Sequence, residues 1–178
     1  MIFTPATKSD AITIAHLHAT SWKEHYRGIY SDDYLDKEIF IERTAFWKDR
    51  LENATESLFV LLAKERDKLC GFIVLSKNYD KKWGAYLDNI HVAKTVRGQG
   101  VGRQLMEKSV AWLRDQNADT QFYLWVFEAN VTARAIYKKW GGYEAETCPF
   151  DLEKHGGGST QSVRIVWTEL SGFIELSK

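Results

Sequence analysis

Several things are scarce in this sequence, and each scarcity excludes something. Two cysteines occur among 178 residues. Cys70 and Cys148 lie far apart and outside any CxxC pattern, so neither a disulfide framework nor a thiolate metal site is expected. Two reduced thiols suit a cytoplasmic protein. Charge of one sign is also missing: 24 Lys and Arg balance 24 Asp and Glu. A nucleic-acid binder would show a basic excess, so nucleic acid is not an expected partner, and there is no acidic tail. No window approaches the run of about 18 apolar residues that a membrane helix needs. The opening residues, Met1 to Ala6, lack the basic and apolar regions of a signal peptide. Linkers, repeats and shifts of composition are absent too, so one domain over residues 1–178 is the expectation.

What is present points to a packed α/β domain. Apolar residues make up 44% of the chain, near the globular average, so a core rather than disorder is expected. Seven tryptophans supply large buried areas or cleft walls. A short strand over residues 1–6 precedes Ser9-Asp10, which has N-cap chemistry. A helix over about 10–25 follows, with Ile12, Ala15, Leu17 and Trp22 as a rough stripe. A second helix over about 32–52 carries Trp47 and Leu51 on one face. Residues 57–64 and 69–77 read as a β-hairpin across a charged turn, and 85–92 as a third strand. From Val101 to Gln116 the apolar positions Val101, Leu105, Met106, Trp112 and Leu113 trace a helical face. Residues 121–127 read as a short buried strand. Asn130 caps a helix whose face is Ala133, Ile136, Tyr137 and Trp140, stopped by Gly141-Gly142. Strands at 143–150 and 162–170 close the chain around a mobile loop containing Gly156-Gly157-Gly158. The expectation is a mixed sheet with helices on both faces.

The order strand, glycine loop, helix at residues 85–116 suits a phosphate. A helix start leaves N–H groups unpaired at the positive end of its dipole, and glycines let the backbone approach an anion. A Walker loop is excluded because GxxxxGK is absent. A Rossmann fingerprint fails because the third glycine, Gly102, falls one residue early and no βαβ unit opens the chain. The remaining pattern is Gln or Arg, two residues, Gly, one residue, then Gly or Ala. Arg97-Gly98-Gln99-Gly100-Val101-Gly102 matches it.

This loop, read with Asn89-Ile90-His91-Val92 before it, resembles the acetyl-CoA motif of the GNAT acetyltransferases. A second stretch is similar to the next motif of that family: Leu124 to Asn130, then Ala133, Tyr137 and Gly141-Gly142-Tyr143. Phenylalanine is commoner there than Tyr143, a mild departure. Ser21-Trp22 through Tyr26-Arg27-Gly28-Ile29 also looks like the N-terminal region of one bacterial-type subgroup. The order of elements agrees over residues 1–170.

The resemblance implies a fold in which the strands at 85–92 and 121–127 start side by side and splay apart. It implies an acetyltransferase moving an acetyl group from acetyl-CoA to a primary amine, with no metal. The alternative is a catalytically silent domain that binds acyl-CoA. The pantetheine arm would pair with main chain around Ile90, His91 and Val92. The diphosphate would sit on amides of residues 97–102, with Arg97 as an added charge-assisted contact. Tyr137 would be the general acid toward the CoA sulfur. Asn130 would contact the cofactor while capping its helix. A strand amide near residues 90–92 would face the oxyanion.

The general base is open between Asp88 and Glu128. Simple alternation puts Tyr86, Asp88, Ile90 and Val92 on one face, although a bulge would change this. His91 has a suitable intrinsic pKa. Trp22, Tyr26, Tyr30 and Trp125 are candidate walls, and aromatic walls with carboxylates would suit a cationic amine. A homodimer is an expectation carried by the family alone.

Overall fold

The structure, a computed structural model, describes residues 1–155 and 157–170. Seven strands form one sheet in the order β1-β2-β3-β4-β5-β7-β6. They are β1 (Ile2–Pro5), β2 (Leu58–Glu65), β3 (Lys68–Asp80), β4 (Gly84–Val92), β5 (Phe122–Phe127), β6 (Tyr143–Asp151) and β7 (Ser159–Trp167). All neighbours are antiparallel except β4 and β5, which run parallel. Helices α1 (Ala11–His25) and α2 (Ile39–Glu52) cover one face; α3 (Val101–Asp115) and α4 (Val131–Lys139) cover the other.

The core follows from these layers. Under α3, the residues Leu105, Met106 and Leu113 pack against Ile73, Leu75, Leu87 and Leu124. Under α1 and α2, a second cluster joins Ile14, Ala15 and Trp47 to Leu62, Phe72 and Val74. A third closes one end of that face with Tyr30, Tyr34, Leu35, Ile39 and Leu152.

Two helical stripes differ from expectation. In α1 the buried face is Ala11, Ile14, Ala15, His18 and Ala19, while Ile12 is 54% exposed. Small residues and a histidine let α1 sit close to the sheet, and this sets the helix phase against the apolar scale. In α4, Ile136 is exposed, so Ala133, Tyr137 and Trp140 form the inward edge.

The hairpin loop between β6 and β7 is shorter than expected, because β6 reaches Asp151 and β7 begins at Ser159. Gly156 lies outside the described residues. The rest is anchored: the Leu152 N–H donates to Gly158 C=O at 3.1 Å and the Gly157 N–H donates to Leu152 C=O at 3.1 Å. Leu152 itself is buried against Tyr34 and Leu35.

Candidate active site

The two parallel strands at the centre of the sheet hold each other only briefly. Ala85 pairs with Phe122 and Tyr86 with Tyr123; beyond these, residues 87–92 and 124–127 have no partner across the gap. β3 and β7 still pair with the outer edges of β4 and β5. A wedge-shaped cleft therefore opens inside the sheet, with backbone N–H and C=O groups along its sides. The edges of β4 and β5 that face the gap have no strand partner past these two pairs.

The glycine loop stands at the open end. Gly98 and Gly100 have φ of +79° and +78°, a region closed to most side chains. A Cβ on Gly98 would meet nothing within 4 Å, so the backbone path, and not crowding, requires glycine there. Gly102 differs: a Cβ there would make ordinary contacts, 3.4 Å from Val92 Cγ2 and 3.6 Å from the Trp140 ring. The ladder of α3 begins with the Gln104 N–H on Gly100 C=O. The N–H groups of Val101, Gly102 and Arg103 thus precede it and remain available to an anion.

Arg97 is engaged elsewhere. Its guanidinium donates to Glu24 at 2.6 Å and to the Val92 C=O at 3.0 Å, tying the loop to α1. Arg103, which sequence reading passed over, binds Glu107 through Nε at 2.7 Å, and its Nη2 has no hydrogen-bond partner among the described residues.

Tyr137 projects from α4 onto the apolar cluster, edge-on to Trp140 and Trp167. Burial holds its phenol protonated well above the ordinary tyrosine range, with Tyr26 adding to the effect. Asn130 caps α4, its Oδ1 accepting the Ala133 N–H at 3.2 Å.

The carboxylates separate. β3 and β4 slip register between Asn89 and Leu87, leaving Asp88 as the extra residue of a β-bulge. The bulge overturns simple alternation. Leu87, Ile90 and Val92 face the α3 side, while Tyr86, Asp88, Asn89 and His91 face α1 and α2, as their partners Phe72 and Val74 show. Ile90 and Val92 therefore do not share a face with Asp88. Asp88 accepts hydrogen bonds from Arg50 and Tyr86. Glu128 is exposed in the turn after β5, its N–H donating to Gln161 C=O at 2.8 Å. Asp88 lies two residues past the last β4–β5 pair and Glu128 five. At about 3.3 Å per residue, that places Glu128 about 10 Å farther along the cleft.

His91 Nδ1 lies 2.8 Å from Ser21 Oγ, and its ring centre is 4.6 Å from that of His18. Burial, with His25 and Arg97, brings the His91 pKa down to about 3. His18 is lowered in the same direction, first by burial and then by His91, Arg43 and Arg50. The Trp47 indole N–H donates to His18 Nδ1 at 3.1 Å, so this nitrogen is the acceptor and Nε2 carries the hydrogen. Both imidazoles are neutral at pH 7, and His91 is a weak base.

Trp22, Tyr26, Tyr30 and Phe127 form a connected aromatic wall at one end of this face, and burial raises the Tyr26 pKa to about 12. Trp125 lies on β5 toward Arg164. Arg43, Arg50 and Arg164, which sequence reading missed, stack on these and neighbouring rings. A local signal existed for two of them. Arg43, Trp47 and Arg50 are spaced four and three apart, on one side of a helix. Nothing local announces Arg164. Among the described residues no cluster of His, Cys, Asp and Glu could hold a metal ion, and no helix is long and apolar enough to cross a membrane.

Comparison with known proteins agrees with this geometry. Residues 19–143 match the profile of the acetyltransferase (GNAT) family. The chain is similar to an uncharacterized N-acetyltransferase, YuaI, of Bacillus subtilis, at 26% identity over 93% of this chain and 92% of that protein. It is also similar to N-alpha-acetyltransferase 40 of Saccharomyces cerevisiae, at 36% identity over 41% of this chain and 30% of the yeast protein. Among solved structures, the PaiA N-acetyltransferase of Thermoplasma acidophilum, in complex with coenzyme A, superposes with a TM-score of 0.73. It covers 92% of this chain and 98% of its own at 20% identity, a likeness of fold.

Proposed function

Because the chain belongs to the GNAT acetyltransferase family, we propose that it transfers the acetyl group of acetyl-CoA to a primary amine. The single observation that carries this reading is the coincidence of two features. The sheet opens between β4 and β5 after two residue pairs, and a loop with two left-handed glycines presents unpaired amides at the mouth of that opening. The coenzyme A of the Thermoplasma relative supports the same ligand class.

The fit can be argued from this chain's own groups. Amides within residues 97–102, chiefly Gly98, Gly100, Val101 and Gly102, would hold the diphosphate, and Gln99 lies in the same turn. The free edge of β4 at Ile90, His91 and Val92 would pair with the pantetheine amides. Asn130 fixes the start of α4 and so the position of Tyr137. Bound acetyl-CoA would supply the acetyl group as a thioester. The Tyr137 hydroxyl, protonated at neutral pH, would give its proton toward the departing sulfur. Asp88 is the carboxylate on the acceptor face of the cleft and is the proposed proton acceptor for the amine. Arg50 and Tyr86 orient it, and a carboxylate with two bonds made keeps further lone pairs. Glu128, about 10 Å farther along the cleft, is the second candidate for this role.

The test combines calorimetry of coenzyme A binding with a panel of amines and a colorimetric readout of released thiol. Uptake of coenzyme A with turnover of at least one amine class is expected. Binding without turnover of any amine would favour the silent acyl-CoA-binding alternative. No binding would remove both readings.

A further inference from the structure

The acceptor face of the cleft carries three arginines, and their surroundings decide what kind of amine it suits. Arg164 stands on β7 directly opposite Trp125, so both side chains emerge on the face of α1 and α2. Its guanidinium carbon lies 4.3 Å from the ring centre of Trp125, 4.4 Å from Tyr123 and 4.9 Å from Trp83. Arg43 lies 5.1 Å from Trp22 and 4.6 Å from Phe46; Arg50 lies 5.3 Å from Phe46 and 5.7 Å from Trp47. A cage for an ammonium ion needs open ring faces. Here the chain's own guanidiniums lie over Trp22, Trp83, Tyr123 and Trp125, so at these rings a polycationic acceptor would meet a guanidinium where it needs a ring face.

The carboxylates of this face are equally engaged. Glu42 pairs with Arg43, Asp88 with Arg50, and Glu146 with Arg164. None offers an uncompensated negative charge to a second ammonium. The donors are different. A guanidinium has five N–H groups, and buried donors are normally paired. Arg43 Nε and Arg164 Nη1 are buried and have no hydrogen-bond partner among the described residues. The face therefore has donors left over, while its carboxylates at Glu42, Asp88 and Glu146 are each compensated. Guanidinium forks recognise planar carboxylates.

We propose that the acceptor is a primary amine bearing a carboxylate close to the amine. Arg164 from the sheet and Arg43 from the helical layer select that carboxylate. The inference rests on the acetyl-transfer reading and adds the chemistry of the substrate. It replaces the cationic amine that aromatic walls alone would suggest. Two sources share this chemistry: free amino acids, and peptides whose first residue is acidic.

The experiment is a steady-state screen at saturating acetyl-CoA with matched acceptors. They are free aspartate, glutamate and neutral amino acids, their carboxamides, amidated dipeptides beginning with Asp or Glu, and spermidine. Carboxylate-bearing amines are expected to exceed their carboxamides at least tenfold in kcat/KM. Arg164→Gln should reduce that preference below threefold while the Kd for coenzyme A stays within twofold. Arg43→Gln gives the same readout if the Arg164 variant folds poorly. Preference for free amino acids assigns the small-molecule source, and preference for acidic dipeptides the peptide source. Either supports the proposal. Carboxamides or spermidine turned over as well as carboxylates would overturn it and leave acetyl transfer standing. Coenzyme A binding with no acceptor turned over would overturn both.

Discussion

Under α3 and α4 the sheet buries a continuous apolar cluster, with Ile73, Leu87, Leu105 and Leu124 at its centre. Under α1 and α2 the buried set includes His18 and Ser21, and arginines lie over aromatic rings at its margin. The contrast matches what each side would bind. The cofactor half would use main-chain amides, which any sequence supplies once the backbone is shaped, so its side chains are free to be core. On the proposed function the acceptor half would recognise an amine, and that recognition would fall to side chains. Polar groups are therefore drawn into an interior where each one needs a partner.

The largest effect should come from the apolar side. Leu105 is fully buried, and Leu105→Ala should destabilise the fold by about 3 kcal/mol through lost transfer energy and a residual cavity. Urea denaturation measures this directly, and a loss below about 1 kcal/mol would show that the cluster under α3 is loosely packed. Next is Tyr137, which packs against the apolar cluster and is the proposed acid of the cleft. Tyr137→Phe should lower kcat on the order of 100-fold with coenzyme A affinity unchanged. An equal fall in binding would reduce Tyr137 to a packing residue. Asp88→Asn should lower kcat/KM, whereas Glu128→Gln should change it little; the reverse order would move the base to the turn after β5.

A smaller effect is expected in the glycine loop. Gly100→Ala introduces a Cβ at φ +78°, a strain of about 1–2 kcal/mol, and should weaken coenzyme A about tenfold. An unchanged Kd would show that the substituted loop keeps the same path with and without ligand, so that the strain falls on folding stability alone. A last effect concerns acid. The folded-state pKa of His91 is about 3, below its ordinary 6.5, so the unfolded chain takes up the proton first as pH falls. Stability should be flat above about pH 7 and decline as pH drops through 6.5 toward 3. His91→Gln should flatten this decline in urea midpoints measured at pH 7.5 and about pH 5. His18 shifts in the same direction and leaves a residual slope.

The glycine loop was legible because its chemistry is local. Positive φ at Gly98 and Gly100 is a demand on those two residues, and the amides they expose belong to neighbouring positions. The capped helix at Asn130 was legible for the same reason. The phase of α1 was not, since His18 and two alanines replace the apolar stripe that periodicity seeks. The facing of Asp88 was not legible either. One extra residue in β4 against β3 reverses alternation, and the alignment of two strands is decided by their joint packing.

The amino-acid sequence by itself determined the class of the fold, the order of its elements and the place of the glycine loop, because these follow from backbone preference and short-range periodicity. Tertiary structure alone decided which residues meet in the cleft. Arg164 reaches Trp83 and Tyr123, and Arg50 reaches Asp88, from elements remote in the chain. Such contacts arise only when the sheet brings distant segments together, and no local pattern encodes them.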